Sequence, residues 1–291
     1  METKDFEKLF IEQNPDYAFL LTRLREALNV RKVNYSDITT INLTTFKNYL
    51  KSYIKRDGKP IAASSVKNYM AVMGAFVNSL AADGLIQPVN MKKVGHVKVP
   101  PSENVYCTEE EIARIDAYYD RLLMKPNHQA EKDVLTLFLI ESVTGARQSD
   151  CAVMTEQNIQ NGQLSYISQK TKQKSVMPVH SKLHKYLKHT PKRKYSRATI
   201  SNVIKRVAEK CGITDIITIQ YRGERRTGRK CDFLSSHSGR RSFATQLSQR
   251  GAPITEICQF MNHHQNINMT MRYIMPDYNN VSTMASSFFR G

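Results

Sequence analysis

The chain has 291 residues, 41% of them hydrophobic, with 43 Lys+Arg against 26 Asp+Glu and a net charge of +17. That length and apolar content exclude a disordered chain and suit two domains, while the positive surplus requires a polyanionic partner, nucleic acid first. Five cysteines, at 107, 151, 211, 231 and 258, form no C-x-x-C pair, which argues against a zinc knuckle or disulfide scaffold and for a reducing compartment.

Met1 to Asp16 alternates charge with aromatics and lacks the apolar stretch of a signal peptide. Tyr17 to Leu28 and Thr44 to Ile54 read as helices. From Ser64, the residues Val66, Tyr69, Met70, Met73, Phe76, Val77 and Leu80 fall on one helical face, with Ser64 or Ser65 as the cap and Gly84 past the end. Residues 1–95 therefore form a small helical domain, and 96–106, within a Gly-, Pro- and charge-mixed stretch, a linker. Residues 107–291 form the second domain, opened by the capping box Thr108 to Glu111. A buried helix carrying Val134, Leu135, Phe138 and Leu139 follows; this apolar run has core-helix length, too short to cross a membrane. The runs Leu164–Ile167 and Ser175–Val179, joined by Lys170 to Lys174, predict a β-hairpin with a basic tip. Next come a helix from Ser196, a basic loop or irregular hairpin over Gln220 to Asp232, and helices over Ser236 to Gln249 and Ile254 to Phe260. The fold class is mainly α with a small β-hairpin, and the reading is a soluble, cytoplasmic protein without membrane contact.

The positive charge is concentrated. Ser165 to Lys210 holds 13 Lys+Arg against one acid, whereas Glu109 to Glu141 holds eight acids and four bases. Such a one-sided surface neutralises phosphates and releases counterions, although a single Lys-rich run is more often a solvated face. The expected DNA-binding residues are Lys67 in the first domain and Lys172, Lys174, Arg197, Lys205, Arg206, Arg225, Arg226 and Arg241 in the second.

Three clusters carry chemistry. Arg147 follows Thr144-Gly145-Ala146 at a turn between helices, where a guanidinium can point outward; Asp150 is close enough to orient it, and Ser149-Asp150 can cap the next helix. His237 and Arg240, in H-S-G-R-R-S-F-A-T, share a helix face in the first turn, where backbone N–H groups favour an anion. In the segment Phe260 to Tyr273, a helix ends at Asn262, two histidines follow at 263 and 264, and Tyr273 lies nine residues after His264. Taken singly, each has an ordinary explanation: a capping arginine, a surface ion pair, a packing tyrosine.

Together the clusters resemble the tyrosine recombinase (phage integrase) family over nearly the whole chain. T-G-A-R-Q-S-D resembles its first arginine box, Gln169-Lys170-Thr171 followed by Val176-Met177-Pro178 its β-hairpin lysine segment, and H-S-G-R-R-S-F-A-T its H-x-x-R box. M-N-H followed by M-T-M-R-Y resembles the histidine and nucleophile segment, and the first domain the helical core-binding domain. The resemblance implies a helical DNA-binding domain and an α+β catalytic domain in a site-specific recombinase. Its catalytic set is Arg147, Lys170, His237, Arg240, His263 or His264, and Tyr273, with no cofactor and no metal. Tyr273 would form a 3′-phosphotyrosyl bond, Arg147 and Arg240 would clamp the phosphate, and Lys170 would protonate the leaving 5′-oxygen, with Lys172 as substitute. Counting from either side of the histidine pair gives a different residue; Asn262 in place of the turn glycine favours His263. The implied partners are double-stranded DNA carrying recombination sites, three further copies in a tetramer that passes through a Holliday junction, and accessory DNA-bending or directionality factors. The implied state off DNA is a monomer, and the implied location the nucleoid. The alternatives are a type IB topoisomerase, a non-catalytic DNA-binding protein, and another phosphate- or RNA-handling protein.

Overall fold

The structure is a computed structural model describing residues 5–100, 102–262 and 267–274. It divides into two compact units, Met1–Pro101 and Ser102–Gly291.

The first unit is helical: α1 (Phe6–Gln13), α2 (Phe19–Leu28), α3 (Thr40–Ser52), α4 (Ala63–Ala82) and α5 (Met91–Val94). The charged, aromatic N-terminal stretch is a helix in its own right. Asp5 caps α1 by accepting the N–H groups of Glu7 and Lys8, and Phe6 and Phe10 meet Phe76 of α4 edge-on at 5.5 and 5.0 Å. The apolar face expected from Val66 to Leu80 is buried, except for partly buried Tyr69. Its start is not as expected: α4 begins at Ala63, and Ala62 at the cap makes no side-chain bond. Gly84 does take the left-handed conformation, φ +72°, that ends the helix. Val94 and Val97 belong to this unit's core, and Val105 and Cys107 to that of the second.

The second unit is built around α7. Thr108 opens α6 (Glu109–Leu123) with the expected capping box, its hydroxyl accepting from the Glu111 N–H while the Glu111 carboxylate accepts from the Thr108 N–H at 2.8 Å. Helix α7 (Gln129–Thr144) is buried almost all round, as befits a central core helix. It ends at Gly145, φ +62°, and α8 (Gln148–Cys151) follows. A three-stranded antiparallel sheet comprises β1 (Ile159–Gln160), β2 (Gln163–Ile167) and β3 (Lys174–Pro178). Leu164, Tyr166 and Met177 point inward and the basic turn outward. After α9 (Leu183–Leu187) and α10 (Arg197–Lys210), which starts where expected and is capped by Ser196, the basic segment forms a regular two-stranded ribbon, β4 (Ile216–Tyr221) and β5 (Glu224–Arg229). Positive φ at Arg222 and Gly223 gives its two-residue turn the twist such hairpins require. Helices α11 (Lys230–Phe233), α12 (Ser238–Gln249), α13 (Ile254–Phe260) and α14 (Ile267–Met271) complete the described chain. The protein is thus mainly α with small antiparallel sheets. Among the described residues no helix is long and apolar enough to cross a membrane.

Candidate active site

The site forms where the end of α7 meets the start of α12, and two glycines permit the approach. A Cβ on Gly239 would lie 2.7 Å from the Phe138 carbonyl oxygen and 2.9 Å from the Glu141 Cβ, both on α7. A Cβ on Gly145 would lie 2.3 Å from the Phe243 ring of α12. With hydrogen in both places, residues 145–147 and 237–241 become neighbours. The segment entering the unit fixes α12 further: the Cys107 N–H donates to Ser242 Oγ at 2.8 Å, and Gln246 Nε2 to the Cys107 carbonyl at 3.1 Å.

Arg240 is the largest fully buried side chain of the described residues, with 1% of its surface exposed. Its two terminal nitrogens donate to the Gly145 carbonyl and, at 2.6 Å, to the Met261 carbonyl, so one planar fork joins the end of α7 to the end of α13. Burial pulls its pKa below the ordinary guanidinium value. The Tyr273 ring lies against it, 5.3 Å from Cζ to the ring centre. The chain at Tyr273 is held from three sides. Thr245 Oγ1 donates to the Tyr273 carbonyl at 3.1 Å, Asn104 Nδ2 to the Arg272 carbonyl at 2.5 Å, and the Tyr273 N–H to the Thr270 carbonyl at 2.8 Å.

Arg147 is half-buried at the cap of α8. Asp150 orients it through an intermediary: Arg147 Nη1 donates to Ser168 Oγ at 3.1 Å, and that hydroxyl donates to Asp150 Oδ2 at 3.0 Å. Ser149 and Asp150 lie inside α8 and do not cap it; Asp150 turns to the hairpin instead, accepting the Gln169 N–H at 2.9 Å. The turn carrying Lys170 is therefore tethered to the arginine loop, while Lys170 itself is solvent-exposed.

His237 stands at the cap position of α12, with Nδ1 buried and without a hydrogen-bond partner among the described residues. Burial first, then the charges of Arg241, Arg197, Arg240 and Arg147, lower its pKa to about 4. Beneath the arginines, Glu141 is buried, and desolvation raises its carboxyl well above the usual range despite Arg240 and Arg241. The histidine pair, His263 and His264, lies outside the described residues, as does the tail from 275. Asn262 just before the pair has φ +54°, the left-handed turn that a glycine would otherwise supply.

Arg147, His237, Arg240 and Tyr273 thus converge. Sequence reasoning missed Ser168, Glu141 and the carbonyls of Gly145 and Met261; a buried serine at a strand end carries no signal in a single sequence. The expected DNA-binding residues differ in state. Lys172, Lys174, Arg197 and Arg225 are exposed, Lys205 is half-buried, and Lys67 is exposed on the first unit. Arg206 is paired with Glu131 at 3.1 Å and Arg226 with Glu224 at 3.0 Å. Arg241 is half-buried beside His237, its Nη1 donating to Ser235 Oγ at 3.4 Å. Among the described residues no cluster of His, Cys, Asp or Glu could hold a metal ion.

The model of the phage integrase family matches residues 106–280. Solved structures share the fold, three of them as follows. A lambda integrase dimer bound to a COC′ core site is 17% identical over 94% of both chains, with a TM-score of 0.62. XerH site-specific recombinase in a post-cleavage complex with palindromic difH is 15% identical over 94% of this chain and 79% of that one, TM-score 0.62. A lambda integrase tetramer on a Holliday junction is 17% identical over 92% and 75%, TM-score 0.59. No curated protein matches the sequence.

Proposed function

Because the chain belongs to the phage integrase family, the tyrosine-type site-specific recombinases, we propose that it cuts and rejoins duplex DNA through a covalent bond to Tyr273. The Tyr273 phenolate oxygen attacks the scissile phosphorus, the bond to the 5′-oxygen breaks, and a 3′-phosphotyrosyl ester conserves the phosphodiester energy. Attack by a 5′-hydroxyl, the same or an exchanged one, reverses the step and frees the tyrosine. Arg240 and Arg147 hold the non-bridging oxygens, where charge builds in the transition state. His237, neutral at pH 7, can take the phenol proton, and Lys170 supplies the proton to the leaving oxygen. The histidine pair adds a further phosphate contact through His263 or His264.

The observation that carries this reading is the Arg240 fork, locked on two carbonyls with the Tyr273 ring against it. A planar guanidinium held rigidly by neutral carbonyls keeps its charge for a phosphate oxygen, and the tyrosine beside it is placed to act as the nucleophile. The solved assemblies of lambda integrase, as a dimer on a core site and a tetramer on a Holliday junction, support a tetrameric synapse on two duplex sites for this chain too.

A nicked suicide duplex tests the reading. Wild type should become covalently attached to the 3′-phosphate, and Tyr273→Phe should not. An adduct formed by the variant would exclude Tyr273 as nucleophile. No adduct from wild type on any duplex it binds would exclude the enzymatic reading. Two marked duplexes distinguish strand exchange from resealing of the original strand, the outcome expected of a topoisomerase.

A further inference from the structure

We propose that the solvent face of the β4–β5 ribbon reads base edges of duplex DNA, with Gln220 and Arg225 as its specificity-determining pair. The proposal rests on the DNA-cleaving reading above.

The register sorts the ribbon's side chains into two rows. Pairs Ile217–Gly228, Ile219–Arg226 and Tyr221–Glu224 share one face; Ile216–Arg229, Thr218–Thr227 and Gln220–Arg225 share the other. The first row faces the protein: Ile219 is buried, and Ile217 and Tyr221 pack against the core. The second faces solvent. Ile216 is 68% exposed, and Thr218, Gln220, Arg225 and Thr227 are exposed as well. The Thr218 and Thr227 hydroxyls meet at 2.8 Å, which fixes the row's orientation.

The chemistry of this row differs from that of a phosphate clamp. It contains no lysine and no acid; the ribbon's one acid, Glu224, sits in the other row, paired with Arg226. Arg229 at its base is occupied by Glu209 and Asp232. Arg225 makes no hydrogen bond or ion pair among the described residues, so its fork is open to solvent. A glutamine amide matches the edge of adenine, a guanidinium fork that of guanine, a threonine hydroxyl either, and an exposed isoleucine the methyl of thymine. The ribbon's size suits the major groove. Successive pairs in one row recur every two residues, about 6.8 Å, which spans two base-pair rises of about 3.4 Å.

The ribbon is also fixed where reading would occur. The Glu103 N–H donates to the Gln220 carbonyl, and its carboxylate accepts the Gln220 N–H, each at 2.7 Å; the Arg222 N–H donates to Ser102 Oγ at 2.9 Å. At the tip, the Arg222 and Arg226 guanidiniums lie 5.1 and 4.7 Å from the Tyr221 ring centre, a cationic end suited to the adjoining backbone phosphates. A protein partner fits less well, because the exposed row offers one apolar side chain rather than a patch.

The test is selection of duplexes from a randomised DNA pool by full-length wild type, Gln220→Ala, Arg225→Ala and Arg225→Lys. Wild type should enrich a motif in which a short run of base pairs becomes unconstrained with each variant while the rest of the motif persists. Preference for that run over its scrambled sequence should fall about 10- to 100-fold. Arg225→Lys is decisive, because it keeps the charge and loses the fork. An unchanged motif with Arg225→Lys, or uniformly weaker binding to every sequence with Arg225→Ala, would reduce the residue to a phosphate contact and overturn the proposal. An intact motif with lost self-association in Gln220→Ala would overturn it in favour of a subunit interface. No enriched motif from wild type would overturn it as well. A motif that the variants erode, on which wild type forms no covalent adduct, would support base reading and sink only the cleavage reading.

Discussion

Replacing Gly239 by alanine adds one methyl group and sets two effects against each other. Helix propensity favours alanine by up to about 1 kcal/mol in a helix interior, and less in the first turn, where Gly239 lies. Against this, the new Cβ would lie 2.7 Å from the Phe138 carbonyl oxygen and 2.9 Å from the Glu141 Cβ, about 0.7 Å short of ordinary contact with the nearer atom. That atom is backbone of the most deeply packed helix, so α12 must yield rather than α7. Overpacking of this kind costs about 1–3 kcal/mol, which outweighs the propensity gain. The shift also falls on Arg240, the next residue, whose fork is set by carbonyls at the ends of α7 and α13. A displacement of this order in the group proposed to clamp the reacting phosphate should lower the rate about 100-fold. Gly239→Ala should therefore lower the denaturation midpoint and slow adduct formation at saturating suicide duplex. A variant as stable as wild type that cleaves within twofold of its rate would refute the claim that this contact sets the site.

Arg240→Lys should lose about 1–3 kcal/mol of stability, because one ammonium cannot serve both carbonyls, and should slow cleavage about 100- to 1,000-fold; urea unfolding and single-turnover cleavage measure the two losses. Thr108→Ala should cost about 1 kcal/mol through the capping box and leave cleavage at 25 °C intact, which thermal unfolding and the adduct assay check together. Ser168→Ala breaks the link between Arg147 and Asp150; cleavage should slow with little loss of DNA binding, and an unchanged rate would show that Arg147 needs no such support. The folded-state pKa of His237, about 4, lies below its unfolded value of 6.5. The unfolded chain therefore binds the extra proton between those values, so the contribution is fully present above about pH 6.5 and is lost as pH falls toward 4. Urea unfolding across that window should show a shallower pH slope in His237→Gln than in wild type.

How far the sequence reveals this site depends on whether a residue's role is local. The Thr108 box, the helix start at Ser196, the helix over Ile254 to Phe260 and the left-handed Asn262 are determined by a few neighbouring residues, and each is legible in the chain. The α1 helix is not: its fully buried residues are only Phe6 and Phe10, and they are held by partners far away in sequence, Phe76 above all. The ribbon was legible as a basic segment but not as two regular strands, because Glu224 to Arg229 carries no apolar alternation and is held by its pairing with β4. Within the site, residue types marked Arg147, His237, Arg240 and Tyr273, whereas Ser168 and Glu141 acquire meaning only when the hairpin and α12 are brought against α7.

The same geometry explains why the site needs so many arginines and how it tolerates them. Arg147, Arg197, Arg240 and Arg241 all bear on His237, and their combined charge helps hold it neutral. Such a cluster is self-repulsive, and the nearby acids Glu141 and Asp150 offset little of it. Glu141 is raised toward its uncharged form by burial, and Asp150 is engaged by Ser168 and Gln169. Much of what holds Arg240 in place is therefore neutral: carbonyl oxygens at two helix ends and the face of an aromatic ring. Carbonyl dipoles fix a guanidinium without cancelling its charge, which a carboxylate partner would do. On the proposed reading the positive charge stays available to a phosphate, whose binding would offset what burial costs.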